Sequence, residues 1–293
     1  MKISVIIPTF NNSKFLKIAI QSVVDQTLNH SQYEIIVVDN DSTDDTKKVF
    51  LKIEKSNPEA NLKYFHDIVP GQLTGRHRGA HEAKGDILVY TDEDIIADKN
   101  WLRSIEGIFQ DSSVMLVCGK SLPNYEADPP EWLESFWHRN GDINNCFDLS
   151  LMDLGNDLAE VDPIFVIGLN FSIRKSALFE LGGFHPDAVP KKYQKFQGDG
   201  ETGLTLKAKE RGFKAIYQPE ALVYHHVPKS RMTFEYFDKR FYYQGICDSF
   251  TCIRRKHGKY ALIKLSQKTV RSRIAEPIKK PLSLVKKLLY IKY

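Results

Sequence analysis

Apolar residues fall into two alternating patterns over the first hundred positions. Ile3-Ser4-Val5-Ile6-Ile7 is a nearly unbroken apolar run that Pro8 ends. It predicts a strand covered on both faces, since a strand with one wet face alternates apolar and polar side chains. Phe15, Leu16, Ala19, Ile20, Val23 and Val24 then recur at helical spacing. They predict an amphipathic helix with Ser13 placed to cap its first turn. Glu34 to Asp39 (EIIVVD) predicts a second buried strand. Ser42 or Thr43 then opens a helix, with Asp44 and Asp45 in its first turn, where negative charge meets the positive end of the macrodipole. Leu62 to His66 predicts a third, short strand. Gly71 to Gly75 reads as a loop leading into a short helix that ends near Gly85. Asp86 to Thr91 (DILVYT) predicts a fourth strand.

Strands alternating with helices imply an α/β fold, a Rossmann-like, mostly parallel open sheet flanked by helices. In such sheets ligands bind beyond the carboxyl ends of the strands. Three polar clusters fall there: Thr9-Phe10-Asn11-Asn12, Asp39-Asn40-Asp41 and Asp92-Glu93-Asp94. The last has two readings. It is a solvated strand end, or three acids that repel one another unless a cation is present. Carboxylates suit hard divalent ions such as Mg2+ or Mn2+, and such an ion can neutralise a departing diphosphate. Asp39, Asp41, Asn11 and Ser13 have a simpler reading too, as caps of the helices that follow.

Leu122 to Phe165 is less regular, with Asp128-Pro129-Pro130-Glu131 as its break. Trp132, Phe136 and Trp137 follow at i, i+4 and i+5. They are the buried face of a helix, or an aromatic platform on which a sugar ring could pack. Thr202 to Arg211 predicts a helix closed by Gly212. Phe213 to Tyr217 and Ala221 to Tyr224 predict two strands, the second ending at His225-His226. Past Phe234 the pattern is helical, with Pro277 and Pro281 breaking it.

Composition narrows the class. Hydrophobic residues make up 42% of 293 and charged residues 27%, which supplies a sizeable core and argues against a disordered chain. No stretch has the 18 or more uncharged apolar residues of a membrane span. The start, Met1-Lys2-Ile3-Ser4, shows no signal-peptide cleavage pattern, and the four cysteines show no metal-site pairing. A reducing, cytoplasmic setting is expected. The net charge of +4 hides an asymmetry. Residues 251–293 carry 13 Lys and Arg against one acid, Glu276, and the rest of the chain has a net charge of −8. An anionic partner is implied for the tail alone. Its interleaved basic and apolar residues suit an anionic membrane surface, where each Lys or Arg contributes about 1 kcal/mol. The alternative is a solvated helical extension packed on the body. Neither part shows a nucleic-acid reading motif.

Five segments in succession resemble the family 2 glycosyltransferases of the GT-A fold: SVIIPTFNNSKFLKIAIQSVVDQT, IIVVDNDSTDDT, GQLTGRHRGAHEAKGDILVYTDED, GLNFSIRKSALFELGGF and GDGETGLTLKAKERGFKAIYQPEALVYHH. The likeness runs from about Lys2 to Pro228. It implies a GT-A domain over 1–230, with a nucleotide-sugar half (1–100) and an acceptor half (101–230), followed by a helical basic extension over 231–293. The resemblance implies a metal-dependent, inverting transfer from a nucleotide-sugar donor, a UDP-sugar favoured. The acceptor would be a hydroxyl of a glycan or lipid-linked molecule in surface polysaccharide assembly. Pro8, Thr9 and Asn11 would contact the nucleoside, Asp39 the base, and Asp41 would lie near it. Arg76 would help to hold the nucleotide, although Arg76-His77-Arg78 stands where the family usually has Arg-Asn. Asp92 would face the ribose or donor sugar, with Glu93 beside it. Asp94 would bind Mn2+ or Mg2+, joined by Asp92 and by His225, with His226 as the fallback. Asn170 would lie on the acceptor side, where Trp132 would serve if the aromatic cluster is the platform rather than a buried helix face.

Transfer also needs a base to take the proton of the attacking hydroxyl, and a positioned carboxylate is suitable. Aligning Thr202 and Leu204 with the family's pattern puts Glu201 in the base position and Gly200 where Glu is usual. Asp199 is the alternative. Two other classes stay open: a nucleotidyltransferase on a related fold, which would favour a Gly-rich basic loop after the first strand, and a nucleotide-sugar-binding protein without catalysis.

Overall fold

The computed structural model describes residues 2–69, 71–186 and 198–273. The first half alternates as the pattern predicts. β1 (Ile3–Thr9), α1 (Ser13–Val24), β2 (Tyr33–Asp39), α2 (Thr46–Ser56), β3 (Leu62–His66), α3 (Gln72–Glu82) and β4 (Ile87–Tyr90) follow in order. β5 (Ile95–Ala97), α4 (Trp101–Ile108) and the long β6 (Val114–Tyr125) come next. The irregular middle holds β7 (His138–Asn140), β8 (Ile143–Cys146), β9 (Leu151–Leu154) and β10 (Ala159–Val161) between 3-10 turns. β11 (Phe171–Arg174), α5 (Lys175–Glu180), α6 (Gly200–Glu210), β12 (Lys214–Val227) and α7 (Phe234–Arg273) complete the described chain. A compact unit runs from Met1 to Asp248, and a second begins at Ser249. None of the helices among the described residues is long and apolar enough to cross a membrane.

The strand order is β3-β2-β1-β4-β11-β6-β9-β8-β7, with β12 paired to β6, β5 and β10. β1 runs parallel to β2 and β4, and β2 parallel to β3. β11 is antiparallel to both β4 and β6, while β12 is parallel to β6. β1, β2 and β4 therefore share one carboxyl edge. The sheet is buried from both sides. Ile3, Val5, Ile7, Ile35 and Val37 pack with α1, α2 and α4 on one face. Ile6, Ile36, Val38, Leu88 and Tyr90 pack with α3, α5 and α6 on the other. Odd and even positions of one strand serve different cores, which is why β1 and β2 read as continuous apolar runs. A third cluster joins Leu133, Cys146, Leu149 and Leu151 to Val227, Met232 and Phe237.

Four local expectations are corrected. The stretch Gly71 to Gly75 is not a loop, because α3 begins at Gln72, with Gly71 alone outside it at φ 125°. Its glycines serve close packing: a Cβ on Gly79 would lie 2.3 Å from Ile6 Cγ2, and one on Gly75 2.7 Å from Asn40 Oδ1. Ser13 is the first residue of α1 rather than its cap, and its N–H donates to Asp44 Oδ2 at 2.9 Å. The helix after β2 starts at Thr46, so Asp44 and Asp45 precede it. The two strands expected over 213–224 are one strand, β12, irregular between Gln218 and Val223. Pro277 and Pro281 lie outside the described residues.

Candidate active site

The loops leaving β1 and β2 are stitched together. Asn11 Oδ1 accepts from the N–H groups of Thr43 (2.7 Å) and Asp44 (3.3 Å), and the Asn11 N–H donates to Ser42 Oγ at 2.8 Å. Asn11 (φ 52°) and Asp41 (φ 65°) are both left-handed, a region Asn and Asp enter more readily than other side chains with a Cβ. Thr9 and Asp39 are buried where these strands end. Asp39 Oδ1 accepts from the Ser42 N–H at 2.9 Å, and Oδ2 accepts from the Tyr64 hydroxyl. Burial and this bond to Asp39 push the Tyr64 phenol up. Asp41 is exposed and meets His66 Nε2 at 3.1 Å. Pro8 lies within β1, and a Cβ on Gly75 would lie 3.0 Å from it.

The three successive acids after β4 diverge to separate partners. Asp92 Oδ1 accepts from Gln72 Nε2 (2.7 Å) and Arg76 Nη2 (3.1 Å). Glu93 turns to the loop after β1, accepting from the Phe10 N–H at 3.0 Å and Asn12 Nδ2 at 3.1 Å. Burial pushes its carboxyl up to about 7 against those bonds. Buried Asp94 pairs with Arg231 Nη2 at 3.1 Å and lies 3.5 Å from His225 Nε2. Burial pushes Asp94 up, but His225 and Arg231 beside it outweigh burial, and the net shift is downward. Their mutual repulsion is thus relieved by side chains and backbone already present, a balance invisible in the sequence.

Strand alternation sends the two histidines to different neighbours. His225 faces Asp94, whereas the His226 ring stacks on Phe15 with centroids 4.2 Å apart. His225 Nδ1 is 2.9 Å from Leu149 O, and its Nε2 is 2.9 Å from Arg231 Nη1. A guanidinium has only donors, so in a neutral ring Nε2 is the acceptor and the proton sits on Nδ1, facing the Leu149 carbonyl. A neutral imidazole with its lone pair fixed beside a carboxylate is the form in which histidine binds metals. Asp94 oxygen and His225 nitrogen, already facing one positive group, are donor types that divalent cations take. Imidazole favours Mn2+ over Mg2+. Among the described residues, no group of three or more His, Cys, Asp or Glu is gathered as a metal site.

Arg76, on α3, is buried at the centre of the site. Nη1 donates to Glu201 Oε1, and Nη2 donates to Asp92 and to Gly168 O at 3.2 Å. Glu201 Oε2 accepts from the Gly168 N–H at 2.7 Å. Arg76 thus joins an acid of the β4 end to an acid of the first turn of α6. Its neighbours point elsewhere: His77 Nε2 accepts from the Phe184 N–H at 2.9 Å, and Arg78 pairs with Glu82. Asp199, the N-cap residue of α6, is buried and pairs with His185. Asn170 is engaged inside the sheet, accepting from Trp101 Nε1 and donating to the carbonyls of Lys120 and Ala221. Trp132 stacks on Phe234 at 4.3 Å, beside the third core cluster.

The sequence reading missed Gln72, Tyr64 and Arg231. For Arg231 the one available signal was a basic residue soon after the histidine pair, in Lys229-Ser230-Arg231.

Residues 4–181, more than half of the chain, match the sequence model of Glycosyl transferase family 2. The chain belongs to glycosyl transferase family 2. A glucosyl-dolichyl phosphate glucuronosyltransferase of Haloferax volcanii is 23% identical over 253 residues, 84% of this chain and 75% of that protein. Other curated relatives are matched over only 35% and 38% of their own length. Among solved structures, Staphylococcus aureus TarS in complex with UDP-GlcNAc superposes with a TM-score of 0.56 at 19% identity, covering 78% of this chain and 59% of that one. GalNAc-T7 with UDP, GalNAc and Mn2+ also gives 0.56 at 19% identity, covering 78% and 44%. These likenesses establish the GT-A fold for this family member.

Proposed function

We propose that this family 2 member transfers a sugar, with inversion, from a nucleotide-sugar to a hydroxyl of a glycan or lipid-linked acceptor in polysaccharide assembly. The observation that carries this reading is the Arg76 bridge between Asp92 and Glu201. It joins the two halves of the site at one buried charge. UDP is favoured as the nucleotide because the solved relatives named above hold UDP or UDP-GlcNAc, and the lipid-linked acceptor is favoured by the dolichyl phosphate substrate in the Haloferax protein's name.

In this reading the stitched loops around Thr9, Asn11 and Asp39 receive the nucleoside. Asp92 is held by Gln72 and Arg76 to meet the ribose or the donor sugar. Asp94 and His225 would hold the divalent cation. When bound, that ion neutralises the diphosphate as it leaves. Glu201 takes the proton of the acceptor hydroxyl as its oxygen bonds to the anomeric carbon and the bond to the diphosphate breaks. A carboxylate has about four acceptor positions, and the bonds from Arg76 and Gly168 orient Glu201 while using two of them. Glu201 is preferred to Asp199 because Asp199 is paired with His185, away from the Arg76 bridge.

The basic residues of 251–293 would bring the enzyme to an anionic membrane surface, where a lipid-linked acceptor resides. Flotation with phosphatidylserine vesicles tests this part. The function itself is tested by incubating UDP-, GDP- and dTDP-sugars with Mn2+ and lipid-linked or glycan acceptors. Metal-dependent release of one nucleoside diphosphate, coupled to product, supports the reading. Release from none of them rejects it.

A further inference from the structure

Arg231 lies beyond every motif described above, yet it touches both atoms on which the metal reading depends. It closes the short 3-10 turn Lys229–Arg231 after Pro228. Nη1 meets the lone pair of His225 Nε2 at 2.9 Å, and Nη2 meets Asp94 Oδ2 at 3.1 Å. We propose that Arg231 is a built-in substitute for the cation, holding Asp94 and His225 in the metal-free protein, and that a divalent ion binds by displacing it. This rests on the reading of Asp94 and His225 as metal ligands.

A divalent ion bonds oxygen and nitrogen donors at about 2 Å. A guanidinium within hydrogen-bond distance of the same two atoms fills the space that ion needs, and its charge repels the ion at close range. The arrangement also has a use. Without a positive group, Asp94 would be a buried, uncompensated carboxylate, which is costly. The guanidinium removes that cost and keeps His225 in the tautomer a metal requires. Displacement is feasible because the Arg231 side chain is 33% exposed, against 10% for Asp94 and 2% for His225.

A consequence follows for the order of binding. Once displaced, the guanidinium loses both of these partners unless an anion arrives. A nucleoside diphosphate supplies one. Metal and nucleotide should therefore strengthen each other, and by linkage the factor is the same in both directions.

Mn2+ titration of the full chain, followed by electron paramagnetic resonance with and without UDP, tests this. Arg231→Met is expected to bind Mn2+ alone at least about tenfold more tightly than wild type. The strengthening of Mn2+ binding by UDP should shrink in the variant. Arg231→Lys, which keeps the charge but makes one contact, should fall between them and serves if the methionine variant folds poorly. Equal Mn2+ affinity in wild type and both variants, with Asp94→Asn still weakening it, would overturn the substitution by Arg231 and leave the ligand assignment standing. Mn2+ binding untouched by Asp94→Asn would overturn the ligand assignment itself.

Discussion

Arg76 and Glu201 form an ion pair across 125 positions of sequence, with the guanidinium fully inside the protein. The same guanidinium reaches Asp92. Burial works against its charge, but Glu201 and Asp92 together hold its pKa up. Removing one partner of a buried pair leaves the other uncompensated, at a cost of about 3–5 kcal/mol. Arg76→Met should lower stability by about 3 kcal/mol or more in urea unfolding. Arg76→Lys should recover only part of this, since a single ammonium does not reproduce the guanidinium's fork. A loss below 1 kcal/mol in Arg76→Met would show that the pair is not formed in solution.

Glu201 and Asp199 separate by role. Glu201→Gln keeps the shape and one acceptor oxygen but cannot take a proton. Transfer should fall by about 10²–10⁴-fold, while UDP binding measured by calorimetry changes little. Asp199→Asn should act mainly on stability, through the pair with His185. If Asp199→Asn silences transfer and Glu201→Gln does not, the two assignments exchange.

Glu34 gives the fold a defined acid response. Its side chain is buried at the start of β2, accepting from Ser4 Oγ at 2.6 Å, the Lys84 N–H at 2.6 Å and Lys63 Nζ. Burial pushes its carboxyl up, but those three donors outweigh burial and hold it below the ordinary value of 4.5. A lowered folded pKa contributes stability that is fully present above 4.5 and is lost as pH falls through the folded value. The melting temperature should therefore drop on the acid side of 4.5. In Lys63→Met this acid-side slope should flatten, with a loss of about 3 kcal/mol at pH 7 from the unpaired carboxylate. An unchanged slope in the variant would contradict the pairing.

Gly79→Ala sets two effects against each other. Alanine is favoured over glycine within a helix by about 1 kcal/mol. Here, however, the new Cβ would lie 2.3 Å from Ile6 Cγ2 in a core packed on both sides, and overpacking costs about 1–3 kcal/mol. A net destabilisation of about 1 kcal/mol is expected from chemical denaturation. Stabilisation would mean that α3 does not lie against β1.

The same glycines show where the sequence was readable and where it was not. The parallel strands were legible because residues buried on both faces leave unbroken apolar runs, and the polar clusters at their ends mark the carboxyl edge those strands share. Gly71 and Gly75 read as a loop, since local propensity carries no information about the strand a helix will lie against. The divergence of Asp92, Glu93 and Asp94 was hidden for a similar reason. Adjacent side chains look alike in sequence, and their partners Arg76, Asn12 and Arg231 come from three distant segments. His225 and His226 could be separated only once β12 had a register, which sets His225 opposite Ile95.

In the proposed reading, the carboxyl edge of the sheet binds a nucleoside diphosphate together with a divalent cation, through Asp94 and His225. Calorimetric titration of UDP into wild type and Asp94→Asn, each with and without Mn2+, tests it most directly. The account predicts saturable UDP binding that Mn2+ strengthens at least about tenfold in wild type, with that gain absent in Asp94→Asn. UDP affinity indifferent to Mn2+ in wild type, or an equal metal gain in both proteins, would contradict it.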